Sequence, residues 1–132
     1  MTDYSSQPEP ARTRILLVDD ENAVLNLLYR LLESEGYEVL AASNGPDAVA
    51  ICSRSVRPIE LLVTDYNMPE MSGLELAREC SLLCSGLPVL YVSGAHPDEE
   101  LQGDLKAGKR AFIAKPFHRD DLLRKARELL AA

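Results

Sequence analysis

The feature that most constrains this chain is a fivefold alternation of a short apolar run with a helical pattern, between Arg14 and Ala131. Ile15 to Val18 is a continuous apolar run stopped by Asp19 and Asp20, as expected for a strand buried on both faces of a parallel sheet. Val24, Leu27, Leu28, Leu31 and Leu32 follow at helical spacing, and Gly36 supplies a C-terminal stop. Tyr37 to Ala42 reads as the second strand, and Asn44-Gly45-Pro46 turns the chain into a helix carrying Ala48, Val49 and Cys52. Ile59 to Thr64 is the third strand, ending at Asp65. Pro69 prevents its extension, and Leu74, Leu76, Ala77 and Leu83 mark the next helix. Pro88 to Val92 is strand four, closed by Ser93-Gly94. A more polar helix from about Asp98 to Lys106, a short strand from Ala111 to Ala114 and a terminal helix from Leu122 to Leu130 complete the series. Such alternation predicts right-handed crossovers and a five-stranded parallel sheet with helices on both faces, a three-layer α/β doubly wound fold.

Residues 1–12 are polar, contain two prolines and show no periodicity, so they are expected to form a flexible tail, with residues 13–132 as one domain. At 132 residues the chain is long enough to bury one sizeable core. A formal net charge of −7 gives no general electrostatic drive toward a phosphate backbone, so direct nucleic acid binding is not expected. No apolar run approaches the roughly 20 residues that span a bilayer, and the N-terminus lacks the pattern of a secretory signal, so a cytoplasmic protein away from the membrane is expected. Three cysteines, Cys52, Cys80 and Cys84, make a disulfide framework unexpected. Cys80 and Cys84 are spaced for one helix face, but with no His or further Cys to complete a tetrahedral metal site they read as buried thiols.

In open parallel sheets, function gathers at the carboxyl ends of the strands. Strand one ends in Asp19-Asp20-Glu21, strand three in Asp65, strand four in Ser93 and strand five in Lys115-Pro116. Three aspartates converging on one edge repel each other, an arrangement that makes chemical sense around a hard divalent cation such as Mg²⁺. Lys115 adds a positive point charge and Ser93 a hydroxyl donor, both suited to a transferred phosphoryl group.

These residues resemble the CheY-like receiver domains of bacterial response regulators. The markers are the acidic pair Asp19-Asp20, the segment Asp65-Tyr66-Asn67-Met68-Pro69-Glu70-Met71-Ser72-Gly73, the Ser93-Gly94 pair and the Lys115-Pro116-Phe117 ending. The resemblance covers about Arg14 to Ala131 and implies a flavodoxin-like sheet in the order 2-1-3-4-5. It implies that Asp65 is the phosphoacceptor, taking its phosphoryl group from a phosphohistidine on a sensor histidine kinase or histidine phosphotransfer protein. Asp20 and Asp65 would bind Mg²⁺ by their carboxylates and Asn67 by its backbone carbonyl, with Asp19 acting through metal-bound water. Lys115 would pair with the phosphoryl group, Ser93 would move to hydrogen-bond it, and Phe112 would follow inward as the switch residue. The surface of helix four, strand five and helix five would then address a downstream protein target, and homodimerisation on phosphorylation would use the same face. Asn67 and Ala95 stand where family members tune the phosphoryl lifetime. The chain would be a signalling switch that catalyses only its own phosphorylation and dephosphorylation. As no output segment follows Ala132, regulation is expected to pass through another protein, unless the chain is a fragment of a larger regulator or hybrid kinase.

Plainer roles are available to several of these residues. Asp19 and Asp20 are placed to cap the first helix, and Phe112 to fill the core. His96 and His118 read as solvated loop residues, and Arg119, Arg124, Lys125 and Arg127 as the solvated face of the last helix. A phosphatase of the haloacid dehalogenase type would need a second aspartate where Asn67 stands. A flavodoxin-like cofactor binder would need a phosphate-holding loop where Asp19-Asp20-Glu21 stands.

Overall fold

A computed structural model describes residues 11–132. The tail expected over residues 1–12 therefore lies outside the described residues except for Ala11 and Arg12; the Arg12 carbonyl accepts a hydrogen bond from Arg57 at 2.6 Å. The elements follow in strict alternation: β1 (Arg14–Val18), α1 (Asn22–Ser34), β2 (Glu38–Ala42), α2 (Gly45–Arg54), β3 (Leu61–Asp65), α3 (Gly73–Leu83), β4 (Val89–Ser93), α4 (Glu99–Leu105), β5 (Arg110–Ala114) and α5 (Arg119–Ala131). The strands pair in parallel in the order β2-β1-β3-β4-β5, the sheet order expected.

Period-2 alternation sorts each central strand between two cores. Leu16, Val18, Leu62, Val89 and Tyr91 point into one, under α2, α3 and α4. Ile15, Leu17, Leu61, Val63, Leu90 and Val92 point into the other, under α1 and α5. Removing one such leucine from water is worth about 2 kcal/mol, so both faces hold the sheet in place. The continuous apolar runs of the sequence are thus two interleaved faces. Strand starts are later than expected at Tyr37, Ile59 and Pro88. Each lies just outside its ladder, and Pro88 lacks the N–H that a ladder position would use. Two leucines counted as helix-core positions are exposed, Leu27 at 59% and Leu83 at 49%. The buried faces use Leu28 and Leu32 in α1, and Leu74, Leu76, Ala77 and Cys80 in α3.

Local chemistry fixes several helix starts. Asn44 caps α2 by accepting from the Asp47 N–H at 2.8 Å, and Pro46 occupies the first turn. Ser72 and Glu75 form a reciprocal capping box at α3. Asp98 caps α4 by accepting from the Leu101 N–H at 2.8 Å. Gly45 lets α2 begin against the 66–72 loop, because a Cβ there would stand 2.6 Å from Met71 Sδ.

Candidate functional site

The parallel register brings the carboxyl ends of four strands to one edge: Val18 pairs with Thr64, Asp65 with Val92 and Ser93 with Ala114. Three of the polar residues at these ends are held out of water, whereas Asp20 and Glu21 are exposed. Asp19 is 1% exposed, Asp65 6% and Ser93 1%. Asp19 Oδ1 accepts from the Glu21 N–H at 2.9 Å, and its Oδ2 from Lys115 Nζ at 3.0 Å. The same ammonium lies 3.5 Å from Asp65 Oδ2 and 3.6 Å from Glu21 Oε1. One carboxylate oxygen each from Asp19, Glu21 and Asp65 fall within 4.8 Å of one another. The helix-capping role is not the one used: Glu21 occupies the N-cap of α1, and no side chain caps that end.

This electrostatics is unbalanced. Burial, then the charge of Asp19, raise the Asp65 acid to a pKa of about 6. Lys115 and the Asn67 backbone N–H oppose the rise, and Asp20 adds to it. Burial disfavours the Lys115 ammonium, but its hydrogen bond to Asp19 and the charges of Asp19, Asp65 and Glu21 outweigh that and raise its pKa. One ammonium faces more carboxylate than it neutralises. The arrangement therefore holds a buried carboxylate beside further acids, a chemistry suited to an additional cation.

The segment after Asp65 is tightly folded. The Tyr66 N–H donates to Val92 O at 3.2 Å, and the Gly73 N–H returns to Tyr66 O at 2.8 Å. Between them the Met71 N–H donates to Pro69 O at 2.8 Å around Glu70, whose φ of 70° is a left-handed value that most residues avoid. Asn67 is exposed; its Nδ2 donates to Ser93 Oγ at 3.3 Å, and the Ala95 N–H donates to the same oxygen at 3.2 Å. Ser93 is thus tied to the loop after Asp65. Phe112 opposes Tyr91 across β4 and β5 and packs, half-buried, against the core under α2, α3 and α4. His96 and His118 are exposed.

Residues 15–127 match the response regulator receiver domain family. The chain belongs to that family. Among the relatives of this receiver domain is the response regulator receiver protein CpdR of Brucella abortus, 35% identical over 124 residues, covering 90% of this chain and 98% of that one. Other curated relatives are longer, and the chain spans 50% of one and 19% of another. A CheY-like receiver domain protein from Methanospirillum hungatei superposes with a TM-score of 0.83 at 35% identity, over 92% of this chain and 95% of that one. The receiver domain of the sensor histidine kinase PA1611 from Pseudomonas aeruginosa, solved with a magnesium ion coordinated in its active site cleft, superposes with a TM-score of 0.78 at 25% identity. That match covers 92% of this chain and all of that one. The chain is a receiver domain of the two-component type with a CheY-like fold. Among its described residues no helix is long and apolar enough to cross a membrane.

Within this receiver domain the structure brings Asp19, Asp65 and Lys115 into direct contact range, sets Asp20 beside Asp65, and joins Asn67 to Ser93. Phe112 stands two strand positions before the edge and touches none of them through a hydrogen bond. Sequence reasoning gave no role to Glu21, which enters the carboxylate cluster, or to the pair Tyr66 and Asp98. Glu21 was legible as the third acid of a run. The Tyr66–Asp98 bond joins residues 32 apart and left no sequence signal.

Proposed function

We propose that this receiver domain is a magnesium-dependent phosphoacceptor switch, in which Asp65 takes a phosphoryl group from a phosphohistidine of a sensor histidine kinase or histidine phosphotransfer protein. The observation that carries this reading is the buried Asp65 carboxylate, reached by the Lys115 ammonium at 3.5 Å and crowded by the acids of strand one. An Asp65 oxygen attacks phosphorus as the phosphorus–nitrogen bond to the donor imidazole breaks, leaving an acyl phosphate on Asp65 and a neutral imidazole after proton uptake.

The residues fit a resident Mg²⁺ on chemical grounds: hard oxygen donors, an excess of carboxylate over ammonium, and an Asp65 acid raised by burial and by the charge of Asp19. Asp20, Asp65 and the Asn67 backbone carbonyl would hold the ion, with Asp19 acting through water and Glu21 close by. When bound, Mg²⁺ shields the nucleophile from the negative phosphoryl oxygens. Lys115 neutralises the phosphoryl group once it arrives, leaving its partner Asp19. Ser93 exchanges its present donors, Asn67 Nδ2 and the Ala95 N–H, for a hydrogen bond to the phosphoryl group. Phe112, half-buried beside the edge, follows inward and alters the surface of α4, β5 and α5 that a downstream protein reads. The reading includes residues 13–132 as the folded unit, a cytoplasmic site of action, partners that are proteins rather than nucleic acid or membrane, and homodimerisation on phosphorylation.

The test is intact mass after incubation with acetyl phosphate, in Mg²⁺ or in EDTA, with mapping of the modified residue. A magnesium-dependent acyl phosphate on Asp65 is the expected result; no adduct in either condition, or an adduct that persists in Asp65→Asn, overturns the reading.

A further inference from the structure

At the opposite end of the sheet from Asp65, Cys52 near the end of α2 and Cys84 at the C-cap of α3 bring their sulfurs to 3.6 Å. The two residues are 32 apart in sequence, so the contact is made by packing of α2 against α3. Both thiols line a cavity of about 490 Å³, between the C-termini of these helices and the loop that leads into β3. Cys52 is 5% exposed, whereas Cys84 is partly exposed. Cys80, one helical turn before Cys84, is fully buried and does not line the cavity.

We propose that Cys52 and Cys84 form a redox modification site, closing to an intramolecular disulfide when the protein meets hydrogen peroxide. Cys84 ends α3 in extended backbone, φ −126° and ψ 95°, so its side chain is not confined by a following helical turn. Its sulfur has to approach that of Cys52 from 3.6 Å to about 2 Å, a movement on the scale of a side-chain rotation. The partly exposed Cys84 thiolate attacks one peroxide oxygen; the O–O bond breaks, water leaves after protonation, and Cys84 becomes a sulfenic acid. The Cys52 sulfur then attacks the Cys84 sulfur, the S–O bond breaks, and the Cys52 proton leaves with the hydroxide as a second water. Each thiol sulfur has lost one electron, and the peroxide has taken two. Burial raises the Cys52 thiol far above the ordinary range, so Cys84 and not Cys52 is the thiol that meets the peroxide, and in the second step the departing hydroxide takes the Cys52 proton. In a reducing compartment the pair stays as dithiol, so the site responds to oxidant rather than serving as a structural staple.

The experiment treats the reduced full chain with hydrogen peroxide, then measures intact mass and maps cross-links without reductant. Since no Lys or Arg separates Cys80 from Cys84, trypsin leaves both on one peptide, and variants must assign the partner. Wild-type protein and Cys80→Ala are expected to lose two hydrogens and to join the Cys52 peptide to the Cys84 peptide, reversibly with dithiothreitol. Cys84→Ser is expected to show no such loss. The proposal is overturned if wild type gains oxygen without cross-linking, if folded Cys80→Ala no longer forms the link, or if Cys84→Ser still does.

Discussion

The phenol of Tyr66, the residue after Asp65, donates to the Asp98 carboxylate, standing 3.0 and 2.9 Å from its two oxygens. Asp98 is also the N-cap of α4, and its pKa is held below the ordinary carboxylate range by the Leu101 N–H and by Tyr66. One side chain therefore joins the loop that follows Asp65 to the start of the helix expected to signal. At the far end of α4, Tyr91 donates to Asp104 Oδ2 at 2.6 Å, and Arg110 pairs with the same oxygen at 3.1 Å. Tyr66→Phe keeps the ring and its edge-to-face contact with Tyr91, 6.1 Å between centroids, and removes only the hydroxyl. Hydrogen exchange should then accelerate at the first amides of α4, Leu101 among them, with α1 and α5 unchanged. Unaltered protection of α4 would show that the bond does not hold the helix.

Asp65 should lower the protein's stability at neutral pH. Its folded pKa of about 6 lies above the ordinary 3.8, so between these values the folded state binds the extra proton and stability falls as pH rises. Well below pH 3.8 the carboxyl is protonated in both states and there is no penalty; well above pH 6 the penalty is complete. The two-unit difference corresponds to roughly 3 kcal/mol. In EDTA, Asp65→Asn should therefore be more stable than wild type by about 2–3 kcal/mol at pH 7.5, and the gap should close by about pH 3. Denaturant unfolding across this range measures it, and a gap independent of pH would exclude the carboxyl's titration as the cause.

Removing the Lys115 charge has the opposite sign. Lys115→Met keeps most of the apolar stem but leaves Asp19, 1% exposed, without its cationic partner at 3.0 Å. A buried carboxylate stripped of its partner costs about 3 kcal/mol. The variant should unfold at lower denaturant than wild type at pH 7, and adding Mg²⁺ should restore more stability to it than to wild type, since a divalent ion supplies the missing charge. Equal stabilisation of both proteins by Mg²⁺ would mean that Lys115 and the ion answer to different carboxylates.

What the sequence made legible was the part with a local cause. Apolar runs ending in Asp19, Asp65 and Ser93 announce strands and the polar groups at their ends, because the period of a buried strand and its stop lie within a few residues. The sheet edge then follows from topology. Contacts across the fold have no such record. The nearness of Cys52 to Cys84 depends on how α2 packs on α3, and Tyr66–Asp98 on where α4 begins. Cys80 and Cys84 illustrate the limit: their helical spacing suggested a shared face, which the Cys84 N–H bond to Cys80 O preserves, but nothing local announced that both sulfurs would meet Cys52 of α2. Leu83 looked like a core position and is half exposed, because the last turn of α3 has passed the edge of the sheet's cover.

Two glycines give a paired test of where backbone space matters. A Cβ on Gly73 would stand 2.9 Å from Tyr66 Cα and closer still to the Asp65 carbonyl oxygen, so the start of α3 and the end of β3 cannot both remain where they are. The Gly73 N–H also donates to Tyr66 O at 2.8 Å, a bond that any retreat of α3 would stretch. Gly73→Ala should destabilise the domain by about 2 kcal/mol or more and displace the Asp65 carboxylate from Lys115, so that acetyl phosphate labelling falls even in the fraction that remains folded. Gly103 sits inside α4 with nothing within 4 Å of its added Cβ. There the only change is the entropy of the unfolded chain and the intrinsic helix preference, and Gly103→Ala should stabilise by roughly 0.5–1 kcal/mol without affecting labelling. Denaturant melts and labelling of both variants under one set of conditions separate the two cases. Labelling of Gly73→Ala at the wild-type level would mean that the end of β3 absorbs the methyl group without moving Asp65.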